Sequence, residues 1–139
     1  MRPGLTRAGG AGIIASLNDV SFIDDSMRDK SSISSELLPG TLEMLILKTL
    51  TRRALHGYGI ARQLEAGSRD VLQVGASSLY PALQRLLASG WVTAEWGETE
   101  LKRRARFYRL TAAGRKRLAA EAAGFARMVG AIHAIMQGT

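Results

Sequence analysis

Residues 75–111, GASSLYPALQRLLASGWVTAEWGETELKRRARFYRLT, confine the chain to few folds. Leu79, Leu83, Leu86 and Leu87 recur at helical spacing, which predicts a short helix beginning at Ser77 or Ser78. Pro81 is tolerated in its first turn, and Ser89-Gly90 ends it. Segments 91–96 and 105–110 then read as two strands joined by a loop over 97–104. The loop passes from Glu98 and Glu100 to Lys102, Arg103 and Arg104, and the return strand alternates arginine with aromatic residues. A polar-faced helix thus adjoins a positively charged hairpin.

The residues before this unit supply two more helices. Pro39-Gly40 breaks the chain, and Thr41 offers an N-cap with Glu43 in the first turn. Leu42, Leu45, Ile46 and Leu50 share one helical face, which Met44 and Leu47 widen. His56-Gly57-Tyr58-Gly59 reads as a turn before a second helix with Ile60, Ala61 and Leu64 inward, ended by Gly67-Ser68. Residues 71–74 form a short extended piece. Three helices and a hairpin predict a mainly α (α+β) fold: a winged helix-turn-helix domain over 37–111, expected to bind DNA.

Thr111 is a plausible N-cap for a long helix over 112–139. Along it Leu118, Ala122, Phe125, Val129, Ile132 and Met136 recur at spacings of 4, 3, 4, 3, 4, a heptad seam rather than a broad stripe. This helix either packs against a symmetry mate, which we expect, or folds back on its own domain. Residues 1–36 are rich in Gly, Ser and Asp with little periodicity and are expected to be a disordered extension. Gly10 to Ala15 matches a dinucleotide fingerprint by chance, since no strand precedes it and no βαβ unit follows. Met27 looks like an alternative start.

Charge narrows the partner. Nineteen Lys plus Arg against twelve Asp plus Glu give a formal charge of +7. Residues 101–120 carry Lys102, Arg103, Arg104, Arg106, Arg109, Arg115, Lys116 and Arg117 with no acid among them. Such a cluster suits a polyanion, because neutralised phosphates release condensed counterions; the alternative is a solvated basic face. Without cysteine the chain has no disulfide or thiolate metal site, and His56 and His133 lack ligand-like spacing. No metal or cofactor is expected. No run approaches the roughly 20 apolar residues of a membrane span. The Gly- and Ala-rich stretch before Asn18 is a poor secretory signal, so we read the protein as cytoplasmic. Scattered acids, and serines without a strand-turn nucleophile context, argue against an enzyme.

With the leucines of the third helix inward, Ser77, Ser78, Tyr80, Gln84 and Arg85 face solvent or the major groove. Gln84 suits an adenine edge. Two readings of Tyr80 stand: a hydroxyl on a phosphate, or a half-buried ring with a wet tip. Tyr58, at the start of the second helix, is a further phosphate ligand, aided by the helix dipole. Lys102, Arg103, Arg104 and Arg106 on the wing should grip phosphates or enter the minor groove. Phe107 and Tyr108 are read as structural, and core packing is the first reading of Trp91 and Trp96.

TLEMLILKTL, HGYGIARQLE, SSLYPALQRLLASGWV and RRARFYRLTAAGRKRL together resemble the PadR family of bacterial transcriptional regulators, over roughly residues 37–120. The single C-terminal helix resembles a smaller PadR-like subgroup. That resemblance implies a homodimer, with Leu118, Ala122, Phe125, Val129, Ile132 and Met136 at its interface, repressing from palindromic double-stranded DNA operators. It also admits a small aromatic effector between the dimerising helices and the winged domains. Leu87-Ala88-Ser89 stands where the family usually has an acidic residue, and the leader lies outside the pattern. The alternative function is a basic winged-helix module for RNA or protein, without operator recognition.

Overall fold

The computed structural model describes residues 39–138. The extension, the fingerprint match and the alternative start at Met27 lie outside them. The element order is α1 (Pro39–Thr49), β1 (Leu55–His56), α2 (Gly57–Gly67), α3 (Ala76–Ala88), β2 (Val92–Glu98), β3 (Arg104–Leu110) and α4 (Ala112–Gln137). The fold is a helix-rich winged helix-turn-helix with a C-terminal helix, as the periodicities predict.

Several local expectations need correction. α1 begins at Pro39, so Thr41 lies within it and is not its cap. Proline suits a first helical turn, where its missing N–H has no partner to lose. The segment from Gly57 to Gly59 is not a free turn but the first turn of α2, capped by His56. α3 starts one residue early, at Ala76, with Gly75 as an N-cap that provides no side-chain bond. Pro81 therefore sits inside α3 rather than in its first turn, where it withholds the N–H that would bond the Ser77 carbonyl. Both hairpin strands are longer than read, and the loop between them shrinks to 99–103.

A third strand went unread. Leu55 and His56 pair antiparallel with Tyr108 and Phe107, so β3 lies at the centre of a sheet ordered β1-β3-β2. β2 pairs with β3 from Val92↔Leu110 out to Glu98↔Arg104. On its core side this sheet presents Val92, Ala94 and Tyr108, then runs beyond the core as Trp96, Arg106, Glu98 and Arg104.

One apolar cluster joins all the elements. Ile46 and Leu47 of α1, Ile60 of α2, Leu79, Leu83 and Leu86 of α3, and Val92 of β2 are fully buried. Each contributes about 1.5–3 kcal/mol relative to exposure. Leu87, expected inward, is only half-buried, and Ala82 takes the buried position instead. Between α2 and α3 the chain reverses through Arg69 and Asp70, both left-handed at φ 55° and 68°. Ser68 braces that reversal by accepting from the Leu72 N–H at 2.9 Å.

α4 is anchored at its start. The Thr111 hydroxyl accepts from the Gly114 N–H at 2.9 Å, as its sequence position predicts, and donates to the Gly90 carbonyl at 2.8 Å. The Thr111 N–H donates to the Trp91 carbonyl at 3.1 Å. Arg115 reaches across to the Thr51 carbonyl at 3.2 Å. These bonds fix where α4 leaves the domain.

Candidate nucleic-acid interface

α3 carries its polar residues as the leucine spacing requires. Ser77 and Gln84 are exposed, while Ser78 and Tyr80 are half-buried. At 100° per residue Ser77, Pro81 and Gln84 share the face opposite Leu79 and Leu83. Arg85 lies on a flank, with its guanidinium on Glu43 of α1. That pair ties Arg85 to α1 and partly neutralises it, while about half of its side chain stays open to solvent, as the helix spacing predicts.

Tyr80 is packed against α2. A Cβ at Gly57 would fall 2.5 Å from the Tyr80 hydroxyl, so a side chain there would displace the ring from its place beside the helix start. This puts Tyr80 and Tyr58 at the same end of α2, a juxtaposition that spacing alone does not reveal. The Tyr58 hydroxyl accepts from Arg62 Nη1 at 3.2 Å, and this bond is the main reason the guanidinium pKa is raised. Sequence reasoning passed over Arg62. Its position one turn after Tyr58 was the available signal.

His56 organises the same corner. Its Nδ1 accepts from the Gly59 N–H at 3.0 Å, which requires a neutral ring with the proton on Nε2. Burial pushes its pKa below the ordinary value of 6.5, opposed only in part by Glu100. The ring meets Phe107 edge-on at 5.3 Å, and Phe107 in turn fills the space above Gly97, where a Cβ would lie 2.9 Å from it. Phe107 and the buried Tyr108 are thus structural, as read.

The wing carries its cations outward: Lys102, Arg103, Arg104 and Arg106 are all exposed. Its tip is a preset turn. The Thr99 N–H donates to the Arg103 carbonyl at 2.8 Å, and the Lys102 N–H to the Thr99 carbonyl at 2.9 Å. The Thr99 hydroxyl accepts from the Leu101 and Arg103 N–H groups. Lys102 adopts φ 60°, which swings the chain into the return strand. Trp96 does not pack in the core, contrary to expectation. It is 58 % exposed with Arg104 stacked over its ring at 4.7 Å, because the sheet outruns the helices beneath it. Trp91 does pack against the core, under Arg117 at 4.6 Å. Arg117 also pairs with Glu121 at 2.5 Å, so the basic run in sequence divides between wing and α4.

α4 leaves its apolar residues uncovered. Leu118 is half-buried against the core, and exposure then climbs from 40 % at Phe125 to 77 % at Met136. Met128 and Ile135 join the series, so the surface is wider than the heptad seam expected and resembles the broad stripe of a bundle helix. By length and composition α4 also meets the measure of a membrane span, with mean hydropathy 1.2 over its most apolar window. This corrects the expectation that no segment comes near one: alanines between the larger residues raise the average. Its large apolar residues nonetheless gather on one side, with Arg127 opposite Phe125, whereas a helix bathed in lipid is apolar all round. Among the described residues there is no group of three or more His, Asp or Glu able to hold a metal.

Residues 46–120 match the family model described as the transcriptional regulator PadR-like family. A padr family transcriptional regulator from Eggerthella lenta is 27 % identical, with a TM-score of 0.62 over 72 % of this chain and 85 % of that one. A transcriptional regulator from Clostridium thermocellum is 26 % identical, with a TM-score of 0.62 over 68 % and 91 %. A PadR-like transcriptional regulator from Bacillus cereus, 21 % identical with a TM-score of 0.64 over 75 % and 99 %, shares the fold.

Proposed function

The chain belongs to the PadR-like family of transcriptional regulators, and from that premise we propose a cytoplasmic homodimer that represses transcription from a palindromic operator. The observation that carries this reading is the pairing of an outward Ser77 and Gln84 face on α3 with an exposed cationic wing of preset shape. α3 enters the major groove, where Gln84 reads base edges. Tyr58 and Tyr80 meet phosphates beside the α2 N-terminus, and Lys102, Arg103, Arg104 and Arg106 hold the flanking backbone. Arg85 serves mainly to lock α3 onto α1 through Glu43.

The stripe from Leu118 through Ala122, Phe125, Val129 and Ile132 to Met136, widened by Met128 and Ile135, supports pairing with a second copy. So much exposed apolar surface on one side of a helix marks an interaction face. Pairing spaces two α3 helices about 34 Å apart, one turn of duplex. A regulator of this kind is not an enzyme, and nothing in the reading calls for a cofactor. A small aromatic effector would lodge where α4 leaves the winged domain, near Trp91. Selection of duplexes from a random pool tests the reading. A recovered inverted repeat that resists a large excess of unrelated duplex supports it. Equal binding to every duplex, or preference for RNA, overturns it in favour of a non-operator module.

A further inference from the structure

Four flat groups stand in a row across the junction of wing and α2. Phe107 of β3 meets the His56 ring edge-on at 5.3 Å, and His56 lies nearly parallel to Tyr58, 9° apart at 6.5 Å. The Arg62 guanidinium then covers Tyr58 at 5.9 Å while donating to its hydroxyl at 3.2 Å. The inner members are held firmly. His56 is fixed by the Gly59 N–H and by its register opposite Phe107, and Phe107 by the space over Gly97. The outer end is the most open to solvent: Arg62 keeps 63 % of its side chain exposed, whereas Phe107, His56 and Tyr58 are half-buried.

We infer that Arg62 is a DNA-backbone ligand, held by Tyr58 in the register of the wing, so that this row grips one phosphate between those bound by the wing and those beside α3. The inference rests on the regulator reading above. Arg62 brings a positive charge to the outer face of the helix that crosses the backbone in a helix-turn-helix. Its ion-pair partner, Glu65 at 3.6 Å, forms an exposed pair that a phosphate can displace at little cost, and Asp70 adds a weaker acidic influence. Stacking removes rotameric freedom before binding, so Arg62 loses less entropy on meeting a phosphate than a lysine on the wing tip does.

The test uses the full-length protein and a duplex that the wild type recovers from a random pool. Arg62→Gln should lower affinity about tenfold and reduce the salt slope by about one unit. Arg62→Lys should keep the slope while losing part of the affinity, since the charge remains and the stack does not. Tyr58→Phe should weaken the wild type several-fold and Arg62→Gln by clearly less, because part of what Tyr58 contributes is holding Arg62. Methylphosphonate substitution along the duplex gives a readout that does not depend on variant folding. One position should weaken the wild type strongly and be indifferent for Arg62→Gln. An unchanged salt slope in Arg62→Gln, or no such phosphate, overturns the assignment of Arg62 alone. Failure of the wild type to bind any duplex overturns the regulator reading and this inference together.

Discussion

Gly114, in the first turn of α4, lies so close to Trp91 that a Cβ there would sit 2.1 Å from the Trp91 carbonyl oxygen. Two effects of Gly114→Ala oppose each other. Alanine improves helix propensity by about 1 kcal/mol. The overlap is with backbone, which the Thr111 N–H bond to the same carbonyl holds in place, so it cannot be relieved by a rotamer change. Overpacking of this kind costs roughly 1–3 kcal/mol or more. Gly114→Ala should therefore destabilise the fold, read as a lower urea midpoint; an unchanged or higher midpoint contradicts the close approach.

Stability should depend on pH through His56. Its folded pKa lies below the ordinary 6.5, so at intermediate pH the unfolded chain binds the proton that the folded one refuses. Its contribution is fully present above 6.5 and is lost as pH falls from there through the depressed folded value. Thermal melts between about pH 7.5 and about pH 5 should show this decline. His56→Asn, which can still accept from the Gly59 N–H, should flatten it.

Groove and wing should separate in their effects on binding. Gln84→Ala should change which duplexes are selected while leaving the salt slope intact, because it removes a base contact worth about 1–3 kcal/mol of discrimination. Neutralising Arg103 and Arg104 together should weaken every duplex alike and lower the slope by about one unit per lost phosphate contact. Filter binding across a salt series, with selection from a random pool, distinguishes the two. A Gln84→Ala variant with unaltered preference removes α3 from the groove.

Phe125→Glu places a charge in the middle of the exposed stripe of α4. If that stripe joins two copies, the variant should sediment as a monomer while keeping its helical circular dichroism. A variant that remains dimeric, or a wild type that is monomeric at micromolar concentration, rules out pairing through this face.

The candidate site was legible wherever one element's own periodicity decides orientation. The leucine spacing of α3 put Ser77 and Gln84 outward without help from any neighbour. Arg85 lies on the same helix and is exposed as well, but its tie to Glu43, 42 positions earlier in the chain, has no signal in helix periodicity. Trp96 was read as core for a similar reason: composition does not say where the sheet outruns the helices below it.

By itself the sequence determined the three core helices, the charged hairpin, the Thr111 cap and the apolar side of α4. Each arises from residues a few positions apart, where helical and strand geometry dictate which side chains share a face. Tertiary structure alone decided the pairing of Leu55 and His56 with β3, the contact of Gly114 with Trp91, and the row from Phe107 to Arg62. Those relationships join segments distant in the chain, and a pattern that marks a face as apolar or charged carries no record of what that face will meet.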